Sequence, residues 1–151
     1  MINMKHFALI IGLTTLLASC GLKSKMENQD KAHKEADFII ENFTNYDSIK
    51  EKLPEKYFNP LQTKEFVTNF SKSCDWQNRK GKFVDFFTMK NIGGTDQTAF
   101  IYEYFLNCDS IRIILIYNMA KNSSELFKIN VEPIEKKNQM IIDPSKQLIP
   151  Q

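Results

Sequence analysis

His33, Asp37 and Glu41 recur at four-residue intervals, the spacing that aligns side chains along one edge of a helix and the first place to look for a metal site or an acid–base pair. No cysteine or second histidine joins the pattern to complete a coordination shell. The stripe therefore reads as the solvated face of an amphipathic helix, and no metal is expected. A Ser-His-Asp or Cys-His nucleophile would have to be built around the same His33, and nothing in the sequence supplies its partners. Glu103 and Glu132 are candidates for paired carboxylates, but Arg112 falls between them, so an ion-paired sheet surface is the better reading. Phe83, Phe86, Phe87, Phe100, Tyr102 and Tyr104 either line a ligand cavity or fill a core, and aromatic residues on the inner face of a sheet are core first. A glycine-rich phosphate loop, a CxxC pair and a basic stripe interleaved with aromatics are all missing. No cofactor is expected, and nucleic acid is excluded as a partner.

The elements that must position these residues belong to one domain. The chain has 151 residues, 42% hydrophobic and 12% aromatic, the composition of a packed globular protein rather than a disordered one. Lysine and arginine total 20 against 18 aspartate and glutamate, too even a balance to imply a strongly charged partner.

The first nineteen residues are of a different kind. Lys5 precedes an apolar run of eleven residues from Phe7 to Leu17, the length of a signal h-region and too short for the roughly 20 residues of a bilayer span. The run closes on Leu17-Ala18-Ser19-Cys20, which resembles the lipobox of bacterial lipoproteins: a branched aliphatic residue, two small residues and a cysteine. The resemblance implies cleavage before Cys20 and attachment of diacylglycerol and palmitate-like acyl chains to it. Two or three chains, at about 0.8 kcal/mol per buried methylene, hold a protein stably at a membrane where one does not. It also implies a cell-envelope location at the outer membrane, since Gly21 is not the aspartate that retains such proteins in the inner one. Residues 20–30 are polar without apolar periodicity and are expected to form a tether. With Cys20 acylated, Cys74 and Cys108 remain in an oxidising compartment. They either pair as a disulfide or sit apart, one buried in a helix and one at a hairpin tip.

From residue 31 the spacing of Ala32, Ala36, Ile39, Ile40 and Phe43 predicts an amphipathic helix. Ser48 and Glu51 suggest a capping box for a short second helix stopped by Pro54, and Asn59-Pro60 opens a third that carries Phe66, Val67, Phe70 and Cys74 and ends near Trp76. Beyond Gly81 the period becomes two, predicting strands over 82–90, 98–107, 111–119 and 126–133. With Cys108-Asp109 as a two-residue loop, Leu106 pairs with Ile111, Tyr104 with Ile113, Tyr102 with Leu115 and Phe100 with Tyr117; across the next turn Tyr117 meets Phe127, Leu115 meets Ile129 and Ile113 meets Val131. The other face then carries Ile101, Glu103, Phe105, Arg112, Ile114, Ile116, Leu126 and Glu132, with Arg112 opposite Glu132 and diagonal to Glu103.

The expected fold class is α+β, with N-terminal helices packed on one face of a four-stranded antiparallel meander over residues 31–134, followed by a C-terminal tail over 135–151. In Tyr46 to Phe58, in Phe66-Val67 and Phe70 ahead of Gly81-Lys82-Phe83, and in the closing Leu126 to Pro133, the chain resembles the nuclear transport factor two-like and cystatin-like superfamily of cone-shaped domains. The resemblance implies a cone that binds a small molecule or a sheet that dimerises; Pro54 departs from it by shortening the second helix. The residues thus lead to a lipid-anchored envelope module that binds or assembles without catalysis, with the outer sheet face as the contact surface for a homodimer or an envelope partner. The alternative is a small-ligand-binding or enzymatic domain with an aromatic-lined pocket. In the native host, Cys20→Ala is expected to abolish lipid labelling and partitioning into detergent; a variant that still fractionates with membranes and is still processed would sink the acylation assignment.

Overall fold

The structure, a computed structural model, describes residues 4–73, 76, 80–106 and 109–134, without side chains for 4–22 and 73. In chain order it contains α1 (Met4–Glu41), α2 (Tyr46–Ile49) running into a 3-10 turn (Lys50–Lys52), α3 (Pro60–Ser73), β1 (Lys80–Met89), β2 (Asp96–Phe105), β3 (Ile111–Ala120) and β4 (Ser123–Pro133). The four strands form one antiparallel sheet in the order β1-β2-β3-β4, so the fold is α+β with a meander, as the sequence predicts.

Ala32, Ala36, Ile39, Ile40 and Phe43 are buried, as their spacing requires. The helix begins far earlier than residue 31, however, and the stretch expected to be a tether is helical. It has no apolar stripe because its contacts are polar. Ser24 Oγ donates to the Lys121 carbonyl at 2.9 Å, and the buried Asn28 amide donates to the carbonyls of Ala120 (3.2 Å) and Lys121 (3.3 Å). Lys25 pairs with Asp96 at 3.2 Å. Lys, Met, Glu and Gln are good helix formers, and neither Gly nor Pro interrupts the chain between Leu22 and Glu41.

The short second helix starts at Asn45 rather than with a Ser48–Glu51 box, and no side chain caps it. Asn59 does cap α3: its Oδ1 accepts from the backbone N–H of Leu61 and of Gln62, both at 3.1 Å, with Pro60 at the first position. On α3 Val67 is buried while Phe66 is exposed; Trp76, beyond the helix end, is buried. Cys74 and Cys108 lie outside the described residues.

The sheet corrects the expected register in two places. Tyr104 faces Ile111, Tyr102 faces Ile113, Phe100 faces Leu115 and Thr98 faces Tyr117, two residues away from the apolar pairing read from sequence. A shift of two leaves every side chain on its original face, so the inner layer survives the error. Three of the four observed pairs are again apolar with apolar, with Thr98 beside Tyr117 the exception, so hydrophobicity alone does not predict the observed register. Between β3 and β4, Ile113 meets Val131 and Leu115 meets Ile129 as expected, but Tyr117 meets Leu126 across a shift between Ile116 and Tyr117. The two-residue turn Lys121-Asn122 sets one register, the far end of the hairpin another, and the extra residue in β4 absorbs the difference as a bulge. Leu126 is thereby turned inward to 1% exposure and leaves the contact surface assigned to it, while the Phe127 ring stands against Tyr57 at 5.1 Å.

Phe100, Tyr102, Tyr104, Ile113, Leu115, Tyr117, Met119 and Leu126 belong to one core cluster with the buried residues of α1 and with Ile49, Leu53, Val67 and Trp76. Gly81 is required in β1 because a Cβ there would run into the Tyr104 ring. In urea denaturation Leu115→Ala is expected to cost ~2–5 kcal/mol and Gly81→Ala ~1–3 kcal/mol; values near those of exposed positions would show that this face is not the core.

Candidate functional site

Beside α1, at the edge of the sheet formed by β1 and β2, lies a groove of about 490 Å³ lined by Asp37, Ile40, Glu41, Gly81, Lys82, Phe83, Tyr102 and Tyr104. Its position follows from the local structure of both walls. Asp37 and Glu41 are one helical turn apart on α1, and the inward-facing positions of β1 and β2 bring Phe83 opposite Tyr102 and Gly81 opposite Tyr104. Gly81 contributes no side chain, which makes room for the Tyr104 ring.

The charged stripe of α1 is only partly a solvated face. The Tyr102 hydroxyl donates to Asp37 Oδ1 at 2.6 Å, and His33 Nε2 lies 3.6 Å from the same oxygen. The His33 ring is stacked on Phe100, with centroids 5.0 Å apart and planes 8° apart, and is tilted against Phe83 at 4.3 Å. Phe83 meets Tyr102 edge-on at 5.4 Å. Asp37 remains half-exposed, with its side chain at 48%, so one carboxylate has a buried hydroxyl on one side and the groove on the other. The sequence reading missed this because a polar residue beside an apolar face is indistinguishable, by periodicity, from one on the solvent side. The signal available was Tyr102 itself, since an inward-facing tyrosine must find a partner for its hydroxyl.

Burial, and then the hydrogen bond to Asp37, push the Tyr102 hydroxyl far above the ordinary tyrosine range; burial, and then Glu35, do the same to Tyr117. Tyr102 is thus a proton donor to Asp37 and not a base. Among the described residues no group of three or more His, Cys, Asp and Glu side chains converges as a metal site. The groove presents the Asp37 and Glu41 carboxylates and aromatic rings beside one lysine, Lys82, so its lining keeps an excess of negative charge, which suits binding of an amine or ammonium group attached to an apolar body. Of the aromatic set, Phe100, Tyr102 and Tyr104 are core, Phe83 is half-buried on the groove wall, and Phe86 and Phe87 are exposed on β1.

The residues singled out for the outer sheet face come together apart from Leu126. Glu103 lies directly opposite Arg112 rather than diagonal to it: Glu103 Oε1 accepts from Arg112 Nη2 at 2.7 Å and Nε at 3.2 Å, and Glu132 accepts from Nη1 at 3.4 Å. Ile101, Ile114 and Ile116 are half-buried beside this cluster, and Phe105 is exposed. Compared with known protein families, characterised proteins and solved structures, the chain matches none of them.

The tyrosines give a test of the groove's inner wall. A raised pKa in the folded state stabilises the fold at neutral pH, and that contribution is lost as the pH climbs past the ordinary value of 10.0. In an alkaline titration followed by phenolate absorbance, Tyr102 and Tyr117 are expected to ionise only together with loss of circular dichroism, and Tyr102→Phe to remove one phenol from that late step. Smooth ionisation of all five tyrosines in a protein that keeps its native spectrum would contradict the assignment.

Proposed function

We propose that the chain is a lipid-anchored envelope protein of the cone-shaped type, with its helices gathered over one sheet face, and that it binds a small organic cation without transforming it. The observation that carries this reading is Asp37, half-exposed in a groove among aromatic rings and held in place by the Tyr102 hydroxyl. A volume of about 490 Å³ falls within the ~300–1,000 Å³ of small-molecule sites. A cation against Asp37 with its carbon skeleton on Phe83 would gain from the carboxylate and the ring face together. Catalysis is not favoured, because the hydroxyl beside Asp37 is held protonated and no serine, threonine, cysteine or histidine is among the residues that line the groove. The helices-first order of elements and the four-stranded meander support the resemblance to the cone superfamily.

A second reading, contact through the outer sheet face with a second copy or an envelope protein, draws on the Arg112 cluster with Phe105 exposed near it. The groove is preferred because it is concave and lined by chemically distinct groups. With phenethylammonium as the probe, calorimetry is expected to show saturable binding that Asp37→Asn weakens at least about tenfold, or ~1.4 kcal/mol. Neutral 2-phenylethanol is expected to bind no better than to the variant. Equal binding of both probes, or none by the folded protein, would overturn the reading.

A further inference from the structure

We infer that the end of the domain carrying the β1–β2 and β3–β4 turns lies flat on the bilayer that holds the acylated Cys20, with Ile92 entering the interface and lysines meeting anionic headgroups. This rests on the lipid-anchor reading, and it adds a surface that the anchor alone does not require.

The direction of α1 places that end. Three contacts occur in the same order along α1 and β2: Lys25 with Asp96, His33 with Phe100 and Asp37 with Tyr102. Twelve helical residues from Lys25 to Asp37 rise about 18 Å, and six strand residues from Asp96 to Tyr102 extend about 20 Å. Helix and strand therefore run side by side, and α1 leaves the domain at the end where β2 begins. Neighbouring antiparallel strands bring the turn at 90–95 and the turn Lys121-Asn122 to that same end, and Ser24 and Asn28 bond directly to the second of them. The α1 backbone is helical through Cys20, which stands five residues before Lys25, roughly 7 Å further out. The β1–β2 turn extends past Asp96 by a similar distance, since three residues beyond the strand reach about 10 Å at most. Acyl chains on Cys20 thus bring both turns to the depth of the headgroups.

The side chains at this end suit such a surface. Ile92, at the tip of a turn whose Gly93 has φ +77, is fully exposed. Met26 is also exposed, and Lys23, Lys25, Lys90 and Lys121 are exposed around them, against Glu27 and Asp96. Each lysine close to an anionic leaflet strengthens attachment roughly fivefold, and a lone exposed isoleucine among lysines has the amphipathic character of interfacial anchors.

The test uses the full chain processed in a bacterial host, with acylation of Cys20 verified by intact mass. Hydrogen exchange is then compared on vesicles of phosphatidylethanolamine with phosphatidylglycerol, on phosphatidylcholine alone and in detergent. On the anionic vesicles the amides of 90–95 and 121–122 are expected to exchange about tenfold more slowly than in detergent, while Asp109 and Ser110 at the opposite end are unchanged. Ile92→Asp and the double variant Lys90→Glu, Lys121→Glu, both at exposed turn positions, are expected to lose that protection with the anchor still in place. An acylated protein whose turns exchange alike on vesicles and in detergent overturns the docking surface and leaves the anchor standing. A chain recovered without acyl chains overturns the anchor and the surface together.

Discussion

The bonds between α1 and the sheet admit one register and no neighbouring one. Tyr102 donates to Asp37 in the last turns of the helix, and Asn28 donates to the β3–β4 turn about two and a half turns earlier. A buried polar group left without a partner costs ~1–3 kcal/mol, and a one-turn slide that set Glu41 beside Tyr102 would bring Ala32 to the carbonyls that Asn28 now meets and leave them without that donor. Apolar burial is tolerant of such slips; these polar bonds are not. The groove, the stacked His33 and the direction in which the N-terminus leaves the domain all depend on that single alignment.

This explains which parts of the molecule are legible in the sequence. Element order, helix faces and strand parity come from periodicities of 3.6 and two, and Ala32, Ala36, Ile39, Ile40, Phe43, Phe100, Tyr102, Ile113 and Leu115 all take the sides those periods assign. What escaped is set by interactions without a period. The extension of α1 through residues 20–30 depends on carbonyls of a turn nearly a hundred residues away. The β2–β3 register depends on which of two largely apolar pairings the longer loop allows, and the β4 bulge reconciles a tight turn with a distant apolar match. Leu126 and Phe127 exchange faces for that reason alone.

The candidate site was half legible. Phe83, Tyr102 and Tyr104 are recognisable as an aromatic set, and His33, Asp37 and Glu41 as a helical stripe, but the one hint that joins the two lists is that an inward-facing Tyr102 needs a hydroxyl partner, and it does not say which. The bond between Tyr102 and Asp37 joins them, and a small residue at position 81 makes the space beside it. Gly81 stands at the start of a strand, where a glycine is ordinarily read as a break between elements; here it is a position where another ring must approach the backbone.

The same helix also separates the two surfaces proposed for the protein. Asp37 lies seventeen residues beyond Cys20 on one continuous helix, a rise of about 25 Å. The headgroup layer on one side of a bilayer is only about 5–8 Å deep, taking a ~30 Å core within a total of 40–45 Å. With the two turns seated on the lipid, the groove would stand clear of the membrane and open to the aqueous compartment. A flexible tether would leave that height undefined, whereas a helix bonded through Ser24 and Asn28 to the β3–β4 turn would fix it. In the proposed arrangement the polar face of residues 24–28 would do for orientation what the apolar positions over 32–43 do for stability. On that proposal, a charge reversal among the first would tilt the domain without unfolding it, while a truncation among the second would destabilise the fold and leave the acylated cysteine untouched.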